Sequence, residues 1–367
     1  MGNPSLMRIE SPVGSEIVID GRRYINFGGS SYLGLSGKSE ILDAGAKSLY
    51  ETGAGYQFPW FFSMATRAHQ AAEQEATKYF GTSGAVYLSG GYHFAFAAMS
   101  VLRSKFASVF FDEMAHYSLR EAIAASEMPS FPFKHLDPLD LELCIKTHLR
   151  AHERPLIVTD GIYGGTGEIA PLDQFFSVIK PYEGHLLVDE SHSFGVLGVS
   201  GRGACEHHQI PPAITTTGGS VSKAFGASGG IIPANADDVI ALRSTPVGRG
   251  ASSGLAAAAA MCARSLRYAR EHPDLLSRLR VNVQNIKERL RALGLEVGTT
   301  PAPVATFRAG SETTMRSIQE ALMAEGIFLP HIQYKGIDSA GALRCGIFAD
   351  HTEAHVDALV SGLSRHL

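Results

Sequence analysis

A lysine stands in the run Thr217-Gly-Gly-Ser-Val-Ser-Lys-Ala-Phe-Gly226, downstream of an aspartate that ends the apolar run His185-Leu-Leu-Val-Asp189. Lys223 offers an amine for a Schiff base. Asp189 offers a carboxylate that keeps a pyridine nitrogen protonated, so that the ring drains electrons from an attached carbon. An amine in a Ser-x-Ser-Lys turn after a strand-end carboxylate is therefore the pairing that pyridoxal phosphate chemistry requires. In the same run Ser220 and Ser222 supply hydroxyls for a phosphate. Gly90-Gly91-Tyr92 closes an apolar run and opens a helical one, which presents backbone N–H groups and the positive end of a helix to an anion. Taken alone that glycine pair reads equally as a plain strand-to-helix turn, and its nearness in type to the serine-lysine turn gives it meaning.

Three further residues carry chemistry in context. His116, in Phe111-Asp-Glu-Met-Ala-His-Tyr-Ser118, stands just past a strand end, where an imidazole could stack on a cofactor ring or make a local helix-start hydrogen bond. His192 follows Asp189 by three positions and reaches whatever Asp189 touches. Arg344 sits in a C-terminal strand, where a guanidinium could clamp a carboxylate or join a surface ion pair.

These residues need a scaffold, and the first two-thirds of the chain supplies an alternation of strand-like and helix-like runs. Ala85–Leu88, Ser108–Asp112, Leu156–Asp160, Leu186–Asp189 and Gly229–Ile232 are short and apolar, with helical patterns between them. Such alternation predicts an α/β fold with a mostly parallel central sheet covered by helices, binding its ligand at the carboxyl ends of the strands. Asp112, Asp160 and Asp189 all fall at such ends. The last third predicts a small α+β domain, with strands at Leu295–Val297, Val304–Phe307 and Leu343–Ile347 and helices between. The expected division is an N-terminal arm over 1–40 containing a hairpin at Glu16–Gly21, a large cofactor-binding domain over 41–250, and a linking helix with a small C-terminal domain over 251–367.

Composition narrows the function classes. Across 367 residues, 45% are hydrophobic and 19% charged, the usage of an ordinary globular chain with room for a large core. A net charge of −4 argues against a general nucleic-acid surface. Cys144, Cys205, Cys262 and Cys345 are widely spaced without a CxxC pair, which predicts reduced thiols, no zinc site and a cytoplasmic location. The start lacks the apolar segment of a signal peptide, and Leu6 breaks the myristoylation pattern. The apolar stretch Leu255–Ala263 is about half the length a membrane span needs. Gly195–Gly203 has the glycine content of a nucleotide loop but no helix in phase after it. His351 and His355 share helical spacing without a third metal ligand, so a solvated helix start is expected there.

Read in order, the motifs resemble the α-oxoamine synthases, a branch of the fold-type I pyridoxal phosphate enzymes. The resemblance runs from Tyr24-Ile-Asn-Phe and Tyr32-Leu-Gly-Leu35 through His69-Gln-Ala-Ala-Glu73, Ser89-Gly-Gly-Tyr92, His116-Tyr-Ser118, Val158–Tyr163 and Gly167–Leu172. It is strongest over Val188–Gly198 and Ser222-Lys-Ala-Phe-Gly226. It implies that Lys223 binds pyridoxal 5'-phosphate covalently, Asp189 pairs with the pyridine nitrogen, His192 meets the ring hydroxyl and His116 stacks on the ring. It places Gly91, Tyr92, Ser220 and Ser222 at the phosphate, Arg344 on the amino-acid carboxylate, and Ser252 and Ser253 across a homodimer interface at the neighbouring phosphate. The implied reaction condenses an amino acid with an acyl thioester, carried by coenzyme A or by an acyl carrier protein, with loss of CO₂ to give an α-aminoketone. An aminotransferase or decarboxylase on the same fold is the alternative.

The chain also departs from the family. Gly53–Ser63, containing Tyr56-Gln-Phe-Pro-Trp-Phe-Phe62, replaces a glycine- and serine-rich run, which makes Trp60 a candidate for the acyl site or for plain core packing. Ser30-Ser31 stands where an asparagine is usual, which puts Ser30 near the substrate. Gly164-Gly-Thr-Gly-Glu168 replaces Ser-Met-Asp-Gly-Asp, so a hydroxyl is lost unless Thr166 restores it.

Overall fold

Strands buried on both faces must be apolar throughout, and the run Pro155-Leu-Ile-Val-Thr-Asp160 is buried at every position. It is an interior strand of a seven-stranded sheet whose strands we number β1 (Gly84–Leu88), β2 (Ser108–Asp112), β3 (Ser130–Phe133), β4 (Pro155–Asp160), β5 (His185–Asp189), β6 (Thr215–Ser220) and β7 (Gly230–Ala234). A computed structural model describes residues 6–55, 58, 60–251 and 253–367. The strand order is β1-β7-β6-β5-β4-β2-β3, parallel except for β7, which runs against both neighbours. Because β7 is flanked antiparallel on each side, β1 points the same way as β6, and six strands deliver their C-terminal ends to one edge.

The chain divides into two compact units, the larger made of Ser39–Tyr163 and Ile169–Pro273. Within it the helix His93–Leu102 follows β1, Tyr117–Ser126 follows β2, Pro138–His148 follows β3 and Leu172–Ile179 follows β4. Phe94, Met99, Leu119, Val109, Leu156, Val158 and Leu187 form one buried cluster between sheet and helices. Each such side chain contributes about 1.5–3 kcal/mol by leaving water. Asp137 caps the third of these helices through the N–H groups of Leu139 and Asp140, with Pro138 in its first turn. The alanine-rich helix Ala256–Glu271 packs against Ser39–Thr52 and Arg67–Phe80, so the expected linking helix is part of the larger unit. Close approach is possible because Gly45 has no Cβ to meet Met261.

The smaller unit gathers the described residues through Lys38, the segment Gly164–Glu168, and Asp274–Leu367. The N-terminal residues expected as a separate arm therefore cluster with the C-terminal third, and the division falls at Asp274 rather than at residue 251. The foreseen hairpin pairs Glu16–Ile19 with Arg22–Asn26. Its turn residues Asp20 and Gly21 both have positive φ, at 46° and 75°, which matches the right-handed twist of the flanking strands. Val304–Phe307 pairs antiparallel with Ala342–Gly346, while Leu295–Val297, expected as a strand, forms none. Helices Asp274–Ala292, Glu312–Ala324 and Glu353–His366 complete the unit. His351 is 5% exposed rather than solvated, stacked against Phe27 and Phe348. His355 instead closes a capping box with Thr352. No helix among the described residues is long and apolar enough to cross a membrane.

Candidate active site

The C-terminal edge of the large sheet collects polar side chains that the strands themselves could not bury. Asp160 and Asp189 end β4 and β5 in direct register, so their carboxylates are neighbours. Asp189 is 4% exposed and accepts a hydrogen bond from the Ser191 N–H at 2.8 Å. Asp160 accepts from the His116 N–H at 2.9 Å. Burial, with the charges of Asp189 and Asp112 beside it, pushes the Asp160 carboxyl well above the usual carboxylate range, against the pull of the His116 N–H and the Lys223 ammonium. Asp112, fully buried, accepts from His135 Nδ1 at 2.8 Å and from the N–H groups of Met114 and Leu136.

Lys223 lies in the turn after β6, half-buried. The same turn aligns hydroxyls: Ser220 and Ser222 share a hydrogen bond at 2.6 Å, and the Ser220 N–H donates to Ser191 Oγ at 2.8 Å. Gly91 packs directly on this strand end, where a Cβ would lie 2.5 Å from Ser220 Cβ. Tyr92 opens the helix His93–Leu102 without a capping side chain, which leaves its N-terminal donors turned to the same edge. His116 caps Tyr117–Ser126. Its Nδ1 accepts from the Ser118 N–H at 3.2 Å, which places the ring proton on Nε2, and its ring meets Tyr92 edge-on at 6.3 Å.

His192 is half-buried in the turn after β5. Next to it Glu190, fully buried, accepts from Ser193 and from the N–H groups of Ala204 and Cys205. Gly203 must lack a Cβ to pass Glu190, so the glycine-rich run Gly195–Gly203 wraps a carboxylate and is no nucleotide loop.

The remaining expected residues fall elsewhere. Ser253 is buried, its carbonyl facing His69 Nε2 at 3.2 Å, and Ser252 lies outside the described residues. Trp60 is half-buried beneath the Arg243 guanidinium at 3.9 Å, whereas Phe61 is 62% and Phe62 56% exposed, so these two rings are not core, and Tyr56, Gln57 and Pro59 lie outside the described residues. In the smaller unit Arg344 is 8% exposed. Its Nε donates to the Gly164 carbonyl and one terminal nitrogen to the Gly29 carbonyl, each at 2.8 Å, beside the Tyr32 hydroxyl. Ser30 is half-buried in the loop that supplies Gly29. The Thr166 hydroxyl accepts from the Glu168 N–H at 3.4 Å.

Comparison with known proteins places this site in a family that matches most of the chain. The family described as Aminotransferase class I and II matches residues 22–363. The chain belongs to this family. Within it the expected resemblance is met, since the relatives are α-oxoamine synthases. Serine palmitoyltransferase of Caulobacter vibrioides is 30% identical over 98% of this chain and 89% of that one. 8-Amino-7-oxononanoate synthase of Fervidobacterium nodosum is 28% identical over 96% of this chain and 91% of that one. A solved structure of SPT with PLP internal aldimine superposes at a TM-score of 0.92 and 25% identity, covering 100% of this chain and 93% of that one. The fold is thus that of the fold-type I pyridoxal phosphate enzymes.

Two further residues belong to the site. The register of Asp160 opposite Asp189 is a property of strand pairing that sequence does not carry. Ser191, whose hydroxyl and N–H tie Ser220 to Asp189, has its signal in its place inside Asp189-Glu-Ser-His192.

Proposed function

We propose that this chain is a pyridoxal phosphate-dependent C-acyltransferase that condenses an amino acid with an acyl thioester, releasing CO₂ and a thiol and forming an α-aminoketone. The observation that carries the reading is the buried Asp189 at the C-terminal end of β5, in register with Asp160 and beside the strand that leads into Lys223. The cofactor fits the donor set: an amine for its aldehyde, a buried carboxylate for its ring nitrogen, and Gly91, Tyr92, Ser220 and Ser222 for its phosphate, with Gly91 already pressed on Ser220. Bound pyridoxal phosphate supplies the electron sink for the amino acid's Cα.

The chain's own residues do the rest. Lys223 anchors the cofactor and, once released, moves the Cα proton. His116, its ring orientation fixed by Ser118, stacks on the cofactor face, and His192 holds the ring hydroxyl. Arg344 holds the amino-acid carboxylate bidentately, its plane set by two carbonyls. A homodimer completes the site with Ser252 and Ser253. Support for that assembly comes from apolar side chains left in water near the segment, with Tyr50 at 94%, Phe61 at 62% and Leu255 at 49% exposure. Ser30 and Trp60 border the substrates, whose thioester rides on coenzyme A or a carrier protein.

The test mixes purified protein, pyridoxal phosphate, an acyl-CoA and in turn glycine, alanine and serine, and follows free thiol and CO₂. Amino-acid-dependent release of both, abolished in Lys223→Ala, is expected. Keto-acid-dependent amino transfer without thiol release would overturn the reading.

A further inference from the structure

The segment Gly164-Gly-Thr-Gly-Glu168 interrupts the larger unit in sequence yet clusters with the smaller one. Three of its carbonyls are gripped by side chains. Gly164 accepts from Arg344 Nε at 2.8 Å, Gly165 from Thr306 Oγ1 at 2.6 Å, and Gly167 from Thr300 Oγ1 at 2.8 Å. Thr300 is itself fixed by the buried Lys287, whose Nζ donates to the Thr300 carbonyl at 2.7 Å.

Thr306 and Arg344 are direct partners across the antiparallel pair Val304–Phe307 and Ala342–Gly346. Opposed residues project from the same face, and these two take neighbouring carbonyls of one peptide chain. The approach requires glycine. A Cβ on Gly165 would lie 2.6 Å from Tyr334 Cδ1, and one on Gly167, at a φ of +80°, would lie 2.6 Å from the Val304 carbonyl oxygen. At Gly165, where a bulkier residue is usual, the glycine therefore lets the segment pass close against Tyr334.

We infer that Thr306 is a positioning residue for amino-acid binding. By holding the Gly165 carbonyl it fixes the peptide that carries the Gly164 carbonyl, and with it the direction in which Arg344 presents its remaining donors to a carboxylate. This rests on the reading that Arg344 binds the amino-acid carboxylate. Lost hydroxyl bonding frees the segment, and the guanidinium follows its Nε acceptor.

The experiment compares Thr306→Val, which keeps the shape and removes the donor, with Thr306→Ser, which keeps the donor. Each variant, loaded with pyridoxal phosphate, is titrated with alanine and with ethylamine, which lacks the carboxylate, and the absorbance of the bound cofactor gives each Kd. Thr306→Val is expected to weaken alanine about tenfold, the factor a lost hydrogen bond to a buried carbonyl produces, and to leave ethylamine unchanged. Thr306→Ser restores the parent value. In an Arg344→Ala background, Thr306→Val has no further effect. Equal weakening of both ligands, or no weakening while Arg344→Ala weakens alanine alone, overturns the positioning role. Unchanged alanine binding in Arg344→Ala overturns the carboxylate reading beneath it.

Discussion

One methyl group added at Gly91 separates a phosphate cradle from an ordinary turn. An alanine Cβ there would lie 2.5 Å from Ser220 Cβ, 2.6 Å from its Cα and 2.7 Å from its N, where ordinary contact begins at 3.4 Å. The strand end must therefore retreat by about 1 Å in an interior that has little room to give. Ser220 cannot swing aside, since its N–H is held by Ser191 and its hydroxyl by Ser222. Gly91 is outside the left-handed region, so alanine meets no backbone strain and the effect is crowding alone. Overpacking of this kind costs about 1–3 kcal/mol. Charged to phosphate binding, it raises the cofactor Kd about 5- to 150-fold. The assay titrates apoprotein with pyridoxal phosphate and records thermal midpoints with and without it. Gly298→Ala, with nothing within 4 Å of its Cβ, is the control. A Gly91→Ala protein that binds cofactor like the parent, whether or not its midpoint falls, would refute the cradle.

Asp189→Asn is expected to keep the cofactor while condensation slows sharply, because a neutral amide does not hold the proton on the pyridine nitrogen that lets the ring take up electrons. A near-parent rate would mean that Asp189 only caps the Ser191 N–H. His351 predicts an acid-sensitive fold: the Phe348 N–H donates to its Nδ1, and burial pushes its pKa down to about 4, with Asn26 and Asp350 pulling up and His355 down. An unfolded histidine takes its proton near 6.5, so between about pH 6.5 and 4 the unfolded chain binds a proton that the fold refuses, and up to about 3 kcal/mol of stability is lost as pH falls. Urea midpoints measured across that window should decline less in His351→Gln; an equal decline sinks the assignment. Phe61→Ala, at a 62% exposed position, should leave folding and cofactor intact while shifting the preferred acyl chain in a thioester series. Loss of cofactor across the whole series would count against a role at the acyl site.

What the sequence made legible follows from local rules. Short apolar runs ending in aspartate gave β2, β4 and β5, because a strand buried on both faces can place a carboxylate only where it leaves the sheet. Gly91, Ser220 and Lys223 were visible because glycine, hydroxyl and amine have few other reasons to share such turns. The errors share a different cause. Leu295–Val297 has strand composition but finds no partner, and His351 has a helix-start pattern but is enclosed by Phe27 and Phe348, from opposite ends of the chain.

The same distinction explains why the cofactor chemistry was readable and the substrate positioning was not. The roles proposed for Lys223 and Asp189 rest on their own functional groups, which residue type and strand position make legible. The orientation of Arg344 depends on which carbonyls its guanidinium meets, and those belong to Gly29 and Gly164, distant in sequence and anonymous as residue types. Thr306 is more hidden still, since its only signature is a cross-strand register with Arg344. The departure at Gly164–Glu168 read first as a missing hydroxyl, with Thr166 the candidate to restore it. In the fold Thr166 bonds within its own segment, and Gly165 carries the meaning, because it admits Tyr334 to backbone contact where a bulkier residue is usual. Substitution there changes how the segment is held rather than which group it offers, so a search for replaced functional groups was bound to miss it.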